Sequence, residues 1–281
     1  MKTLSGIKKE MEFNKDLSVL VETLKSIAIA DYYALEKKLK LNKKYIAVVE
    51  SFFEFFDLEN ENHIFVKSRG QSQAIIAVTT DAGFLGGVNM RVINTALAEA
   101  AKMPTTLIII GDRGKMYVQG SVDAIVSFPG IQNNERFEQA MHLRDYVCDK
   151  ALSGAYDTIK IIYPRPISFG VQRIETIGCI PFRLADVRLI PAEIRANTIM
   201  ESKPKDMIEY LVYLWMGETF YQVFGLSRLA EFGARYFHLE ESSEKLKDEN
   251  KKVRQEYFRV RHELIDRSMR ELFSGRFIRG R

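Results

Sequence analysis

Toward the C-terminus, Leu239, Leu246, Val253 and Val260 recur at every seventh position, and Leu229, Tyr236, Tyr257 and Leu264 fall on the seam four positions later in the same register. That is the spacing of a coiled coil, in which apolar side chains of one helix fill holes on another. Ser243 and Asn250 occupy the second seam as well, and a polar residue there implies either a register lock or a face turned to another protein. Near the N-terminus, Leu4, Ile7 and Met11, then Phe13, Leu17, Leu20, Leu24 and Ile27, keep alternating steps of three and four with one slip between the two runs. A slip predicts a local change of supercoil. Neither residues 7–69 nor residues 234–274 contain glycine or proline, so both tracts read as long helices. One helix over residues 3 to 57 would reach roughly 80 Å. Because the chain runs from the first helix into a middle segment and out through the last, any pairing of the two has to be antiparallel. A last helix from Pro204 to Ser274 outlasts the first. Leu264, Ile265, Met269, Leu272 and Phe273 are therefore expected to project without an intramolecular partner, covered by other chains.

Between the helical tracts the pattern changes to short β-branched runs. Ala74 to Thr80, Thr106 to Ile110, Ala124 to Phe128 and Thr158 to Tyr163 read as strands, and Asn89 to Met103 and Asn133 to Ala151 as the helices between them. Such alternation predicts an α/β domain with a mostly parallel sheet. Thr176 to Phe182 is a further strand, confined to an edge or a bulge by Gly178 and Pro181. The expected organisation is an N-terminal coiled-coil helix over 1–70, a central α/β domain over 71–200 and a C-terminal coiled-coil helix over 201–281.

Composition narrows the class. The chain has 281 residues, 46% hydrophobic and 28% charged, with a net charge of +4, enough for one buried core and long two-sided helices. No run approaches the roughly 20 apolar residues of a membrane span, and the start MKTLSGIKKE lacks a signal peptide's apolar stretch. Cys148 and Cys179 have no CxxC spacing, so cytosolic thiols are expected rather than a disulfide framework or a zinc site. The one local imbalance is the tail, where Arg267, Arg270, Arg276, Arg279 and Arg281 face only Glu271. A basic tail suits nucleic acid, anionic lipid, acidic protein or plain solvent.

Catalytic signals are thin. The glycine-rich turn from Asp81 to Asn89 follows the first strand and opens a helix, as phosphate-binding loops do, but it matches neither G-x-G-x-x-G nor G-x-x-x-x-G-K-[ST]. Gly111-Asp112-Arg113-Gly114-Lys115 also lacks the required spacing. The structural reading gives Asp81, Gly83, Gly86, Gly87 and Asn89 a local role: glycines for positive φ and close approach, Asp81 or Asn89 as a cap for backbone amides. His63, His142, His238 and His262 are scattered without metal spacing. No cofactor is indicated.

Three separated stretches resemble one family, the γ subunit of F-type ATP synthases. Leu24-Lys25-Ser26-Ile27-Ala28-Ile29-Ala30 resembles a Met-Lys pair leading into an alanine-rich run, with Leu24 in place of the Met. Thr80-Asp81-x-Gly83-x-x-Gly86-Gly87-x-Asn89 is similar to the family's D-R-G-L-C-G-G-L-N loop, with Ala82 in place of the arginine. At the far end, Leu226-Ser227-x-x-Ala230-Glu231-x-x-Ala234-Arg235 resembles S-x-x-S-E-x-x-A-R, and Glu271-Leu272-x-Ser274-Gly275 resembles E-I-V-S-G. The resemblance implies a central rotor stalk without an active site of its own. In that family an asymmetric antiparallel coiled coil turns inside a ring of three α and three β subunits, coupling proton or sodium flow through a membrane ring to ATP synthesis or hydrolysis.

The partners it implies are the α and β subunits, a small ε-type stalk subunit and the membrane ring. Nucleic acid and direct membrane insertion are not expected, and the implied location is peripheral, on the cytoplasmic face of the inner membrane. Carried over by position, Lys25 matches a basic residue beside the bearing, and Arg261 matches the arginine of a K-A-R-Q stretch that bonds a β-subunit loop. Arg235, Arg259, His262 and Asp266 join them as expected partner contacts. Arg259 replaces a lysine, His262 a glutamine, Asp266 a threonine and Ser268 a glutamate, which points to a divergent or alternative-ATPase branch. Two other readings stay open on the residues alone: a small nucleotide-binding protein using the Asp81–Asn89 loop, and a coiled-coil nucleic-acid adaptor using the arginine tail.

Overall fold

Five strands, β1 (Gln73–Val78), β2 (Thr105–Ile110), β3 (Ala124–Phe128), β4 (Thr158–Ser168) and β5 (Val171–Ile180), lie side by side in the order β3-β2-β1-β4-β5. The first four are parallel; β5 pairs antiparallel with β4 at the edge. The computed structural model describes residues 3–39, 43–58, 60–68, 70–118, 120, 124–183 and 190–278. It divides into two compact units, Met1–Ala28 with Tyr236–Arg281, and Ile29–Arg235.

The sheet belongs to the second unit, and its central strands β1, β2 and β4 are buried on both faces, as parallel strands require, while β3 and β5 at its edges are partly exposed. Alternate residues serve the two sides. Ala74, Ile76 and Val78 of β1 share one core with Ile108 and Ile110 of β2 and with Ile159 and Ile161 of β4, while Ile75, Ala77, Leu107, Ile109 and Ile162 line the other. The helix α3 (Val88–Ala100) covers the smaller core through Val92, Ile93 and Ala96. The larger core takes in Val49 of α2 (Lys43–Phe52) and Leu143 and Val147 of α5 (Arg136–Leu152). It also takes in Ile208, Val212, Met216, Phe220 and Phe224 from the first part of α7 (Pro204–Ile278).

The expected mostly parallel sheet is present, and four strands fall within a few residues of their predicted places. The first helical tract ends in a 3-10 turn rather than running as α-helix to residue 57. It comprises α1 (Leu4–Leu39), α2 and a short 3-10 turn at Phe53–Phe55, with residues 40–42 outside those described. Its continuation follows the sheet, because Val49, Phe53 and Phe56 are buried in the larger core, and burial overrides a tract's intrinsic helix preference. The strand predicted from Thr176 begins at Val171 and is an edge strand as expected.

Two helices carry no sequence signal, α4 (Asp112–Val118) and α6 (Ala192–Asn197). In α4 the glycines argue against a helix, yet Gly114 is there for contact: a Cβ on it would lie 2.4 Å from Thr79 Oγ1 and 2.6 Å from Ile109. Gly111 has φ +97°, and a Cβ there would meet the Thr79–Thr80 peptide at 2.9 Å. Gly111→Ala should therefore lower stability by about 3 kcal/mol. Gly154→Ala, also at positive φ (+78°) but with nothing within 4 Å, should cost about 1 kcal/mol. Urea unfolding of the full chain, compared by midpoint at constant slope, checks the difference.

Candidate functional site

In the first unit the seam of α1 is made by Ile7, Asn14, Val21 and Ala28, all buried and seven residues apart, with Met11, Ser18 and Lys25 half-buried four positions after each. The register is continuous. The predicted slip arose from counting apolar residues only, and Phe13, Leu20 and Ile27 prove to be 65%, 53% and 50% exposed on an outer face. On α7 the predicted seam holds as far as Val260: Leu239, Ser243 and Val253 are buried, and Leu246, Asn250, Tyr257 and Val260 half-buried, while Leu264 is exposed.

Polar contacts fix how the two helices meet. Asn250 Nδ2 donates to Ser18 Oγ at 3.4 Å, and Ser243 Oγ donates to Glu22 Oε1 at 2.8 Å. Lys25 Nζ makes ion pairs with Glu22 at 2.8 Å and Glu240 at 2.6 Å. Its partners on α7 run backwards as α1 advances, so the pair is antiparallel. Ser243 and Asn250 thus serve as a register lock. The sequence missed Glu22 and Glu240, although Glu22 lies three residues before Lys25, a spacing that brings two helical side chains together. Both Glu22 and Glu240 raise the pKa of Lys25 above its ordinary value, Glu22 most. Lys25 in turn, helped by the Ser243 hydroxyl, lowers that of Glu22.

The C-terminal part of α7 is open. Arg259, Arg261, His262 and Asp266 are all exposed. So are Leu264, Ile265, Met269, Leu272 and Phe273, at 45–68%. Arg261, Leu264, Ile265, Met269 and Leu272 line a shallow apolar hollow of about 350 Å³ with Leu4 of α1. Leu4 thus lies beside part of the segment expected to project without an intramolecular partner, while that segment's apolar side chains remain exposed among the described residues. Arg279 and Arg281 of the basic tail lie outside the described residues.

In the second unit the Asp81–Asn89 loop leaves the carboxyl end of β1. Gly86 and Gly87 adopt φ +55° and +85°, and Phe84 joins them at +61°. Asp81 caps amides, but not those of α3: its carboxylate accepts from Asp112 N at 2.5 Å and Gly130 N at 3.1 Å. It ties together the turns that follow β1, β2 and β3. Asn89 is buried and donates to Thr80 Oγ1 at 3.3 Å. Leu85 and Val88 pack on Ala234 of α7. Beside them Glu231, 1% exposed, accepts from Arg228 at 2.5 Å and from Arg235. Arg235 is thereby engaged within its own helix, through an Arg-x-x-Glu-x-x-x-Arg spacing that sequence reading could have found. Gly83 has space for a Cβ, 3.4 Å from Arg113 Nη2. The cavity by Thr80 and Asp81 measures about 80 Å³, well below the roughly 300–1,000 Å³ of ordinary ligand pockets.

The sequence profile of a family described as ATP synthase matches residues 3–276. Among curated proteins, an ATP synthase gamma chain of Symbiobacterium thermophilum is 27% identical over 205 residues, 72% of this chain and 70% of the relative. An ATP synthase gamma chain of Clostridium pasteurianum is 22% identical and spans 97% of both chains. Among solved structures, a chain of the Euglena gracilis mitochondrial ATP synthase, OSCP/F1/c-ring in rotational state 3, superposes with a TM-score of 0.70 at 15% identity. That match covers 98% of this chain and 94% of the other.

The Glu22–Lys25–Glu240 cluster gives the paired helices a definite pH response. A carboxyl whose folded pKa is depressed adds stability above its unfolded value and loses it as pH falls through the folded value, which for Glu22 lies below the ordinary carboxylate value. Lys25, raised, holds its contribution up to its unfolded value and loses it only above that. Helical content of the full chain, followed by circular dichroism on heating, should therefore be level through neutral pH and fall in acid. Lys25→Met should flatten the part of the acid loss that comes from Glu22.

Proposed function

We propose, given that this chain belongs to the ATP synthase family, that it is the γ subunit of a rotary ATP synthase, the central stalk. It couples ion passage through a membrane ring to ATP synthesis or hydrolysis in neighbouring α and β subunits. The observation that carries this reading is the antiparallel pair of α1 and α7 with an uncovered apolar end. A helix end bearing Leu264, Ile265, Met269, Leu272 and Phe273 gains its stability from packing, and a sleeve of α and β subunits supplies it. The outer stripe of Phe13, Leu20 and Ile27 supplies further contact area on one side of α1.

That one-sidedness is the mechanism. A shaft whose faces differ makes different contacts with each surrounding subunit, and differential contact shifts each between its conformations as the shaft turns. The chain needs stiffness and an uneven surface, not a reactive group. Arg259, Arg261, His262 and Asp266 meet the β subunits, with substitutions that match altered partner loops in a divergent branch. Lys25 and Arg235 act indirectly, by holding α1 on α7 and α7 beside the loop. The subunit also binds an ε-type stalk subunit and the ring, and works at the cytoplasmic face of the membrane. No helix among the described residues is long and apolar enough to cross it, which agrees with a peripheral place.

Two experiments test this. A tagged chain expressed in its native host should bring down α and β subunits, and their consistent absence would end the assignment. Arg261→Ala should lower ATP-driven ion pumping by the assembled complex severalfold while the free subunit keeps its helical content and melting point. Unchanged pumping would remove Arg261 from the contact.

A further inference from the structure

We propose that the cavity at the carboxyl edge of the sheet is a hydration site, in which ordered water bridges the Ser227 hydroxyl of α7 to the Thr80–Ala82 segment. Ser227 is 2% exposed, and its Oγ has no hydrogen-bond partner. A helical serine ordinarily satisfies itself on the carbonyl four residues back. Ser18, Ser26 and Ser242 of this chain do so, at 2.8, 2.9 and 2.8 Å. Ser227 does not; it lines a cavity of about 80 Å³ together with Thr80, Asp81, Ala82, Arg228 and Glu231.

The lining decides what the occupant is. Both oxygens of Asp81 already hold a backbone amide, and both oxygens of Glu231 hold a guanidinium. Neither carboxylate has an oxygen without a donor, and Arg228 is already paired with Glu231, so no charged group of the lining is left open for an ion. What stays open is a neutral hydroxyl among polar neighbours, in a space several times the roughly 10–15 Å³ that one water needs. Water meets both conditions, and a buried hydroxyl with nothing to bond is otherwise costly. The loop then contacts α7 in two ways: dry at Leu85, Val88 and Ala234, wet at Ser227. This inference does not depend on the rotor assignment.

Ser227→Ala separates a wet cavity from a dry one by the sign of its effect. In a dry cavity the substitution deletes an unpaired hydroxyl and raises the folding constant; in a wet one it breaks a water bridge and lowers it, by roughly fivefold. Urea unfolding of the full chain reads the sign. A map of the full-length protein at a resolution that shows water should also place density within hydrogen-bond distance of Ser227 Oγ. An empty cavity, a hydroxyl turned to the Val223 carbonyl, or a Ser227→Ala chain as stable as the parent would each overturn the proposal.

Discussion

Apolar seams that repeat every seven residues look nearly the same after a slide of one heptad, so leucines and valines alone leave the register of two helices poorly defined. In this chain the register depends on a few polar side chains. Glu22 and Lys25 of α1 meet Ser243 and Glu240 of α7, and Ser18 meets Asn250. A slide would take the half-buried Lys25 ammonium from its carboxylates and leave the buried Ser243 hydroxyl without a partner, the latter at about 1–3 kcal/mol. These contacts therefore stabilise less than an apolar seam would and specify more. For a subunit that transmits rotation, a fixed register is what keeps one face different from the next.

A related economy holds in the second unit. The sheet is mostly parallel and its central strands are covered on both faces, but the turns at its carboxyl edge are tied by one carboxylate, Asp81, which receives amides from the turns after β2 and β3. Gly130 has to be glycine for this, since a Cβ would lie 2.2 Å from Asp81 Oδ2. The same loop that resembles a phosphate cradle in sequence is thus occupied with holding turns together. Its glycines serve backbone geometry, and the acidic residue that a nucleotide site would leave open is already used.

Much of this was legible in the residues. Seven-residue spacing of Leu239 to Val260 gave the seam of α7, and β-branched runs gave the strands, because both signals are strong and periodic. The seam of α1 was misread for a physical reason: Asn14, Ser18 and Lys25 occupy it, and a search for apolar residues jumps to Phe13, Leu20 and Ile27 on the outer face. α4 was invisible because Gly114 trades helix propensity for close contact with Thr79. The inward turn of Lys25 depends on Glu240, more than two hundred residues away in the chain, and no local pattern announces such a partner. Arg259, Arg261, His262 and Asp266 were placed by resemblance alone, and all four are exposed.

The register itself can be measured. With Ser18→Cys and Asn250→Cys in one full-length chain, and the native Cys148 and Cys179 buried, a short bis-maleimide cross-linker should join the two positions rapidly within each molecule. Pairs displaced by a heptad, Met11→Cys with Asn250→Cys or Ser18→Cys with Tyr257→Cys, should join slowly or not at all. Equal rates for all three pairs, or faster joining of a displaced pair, would mean that the helices slide and that the polar contacts do not set where α1 and α7 meet.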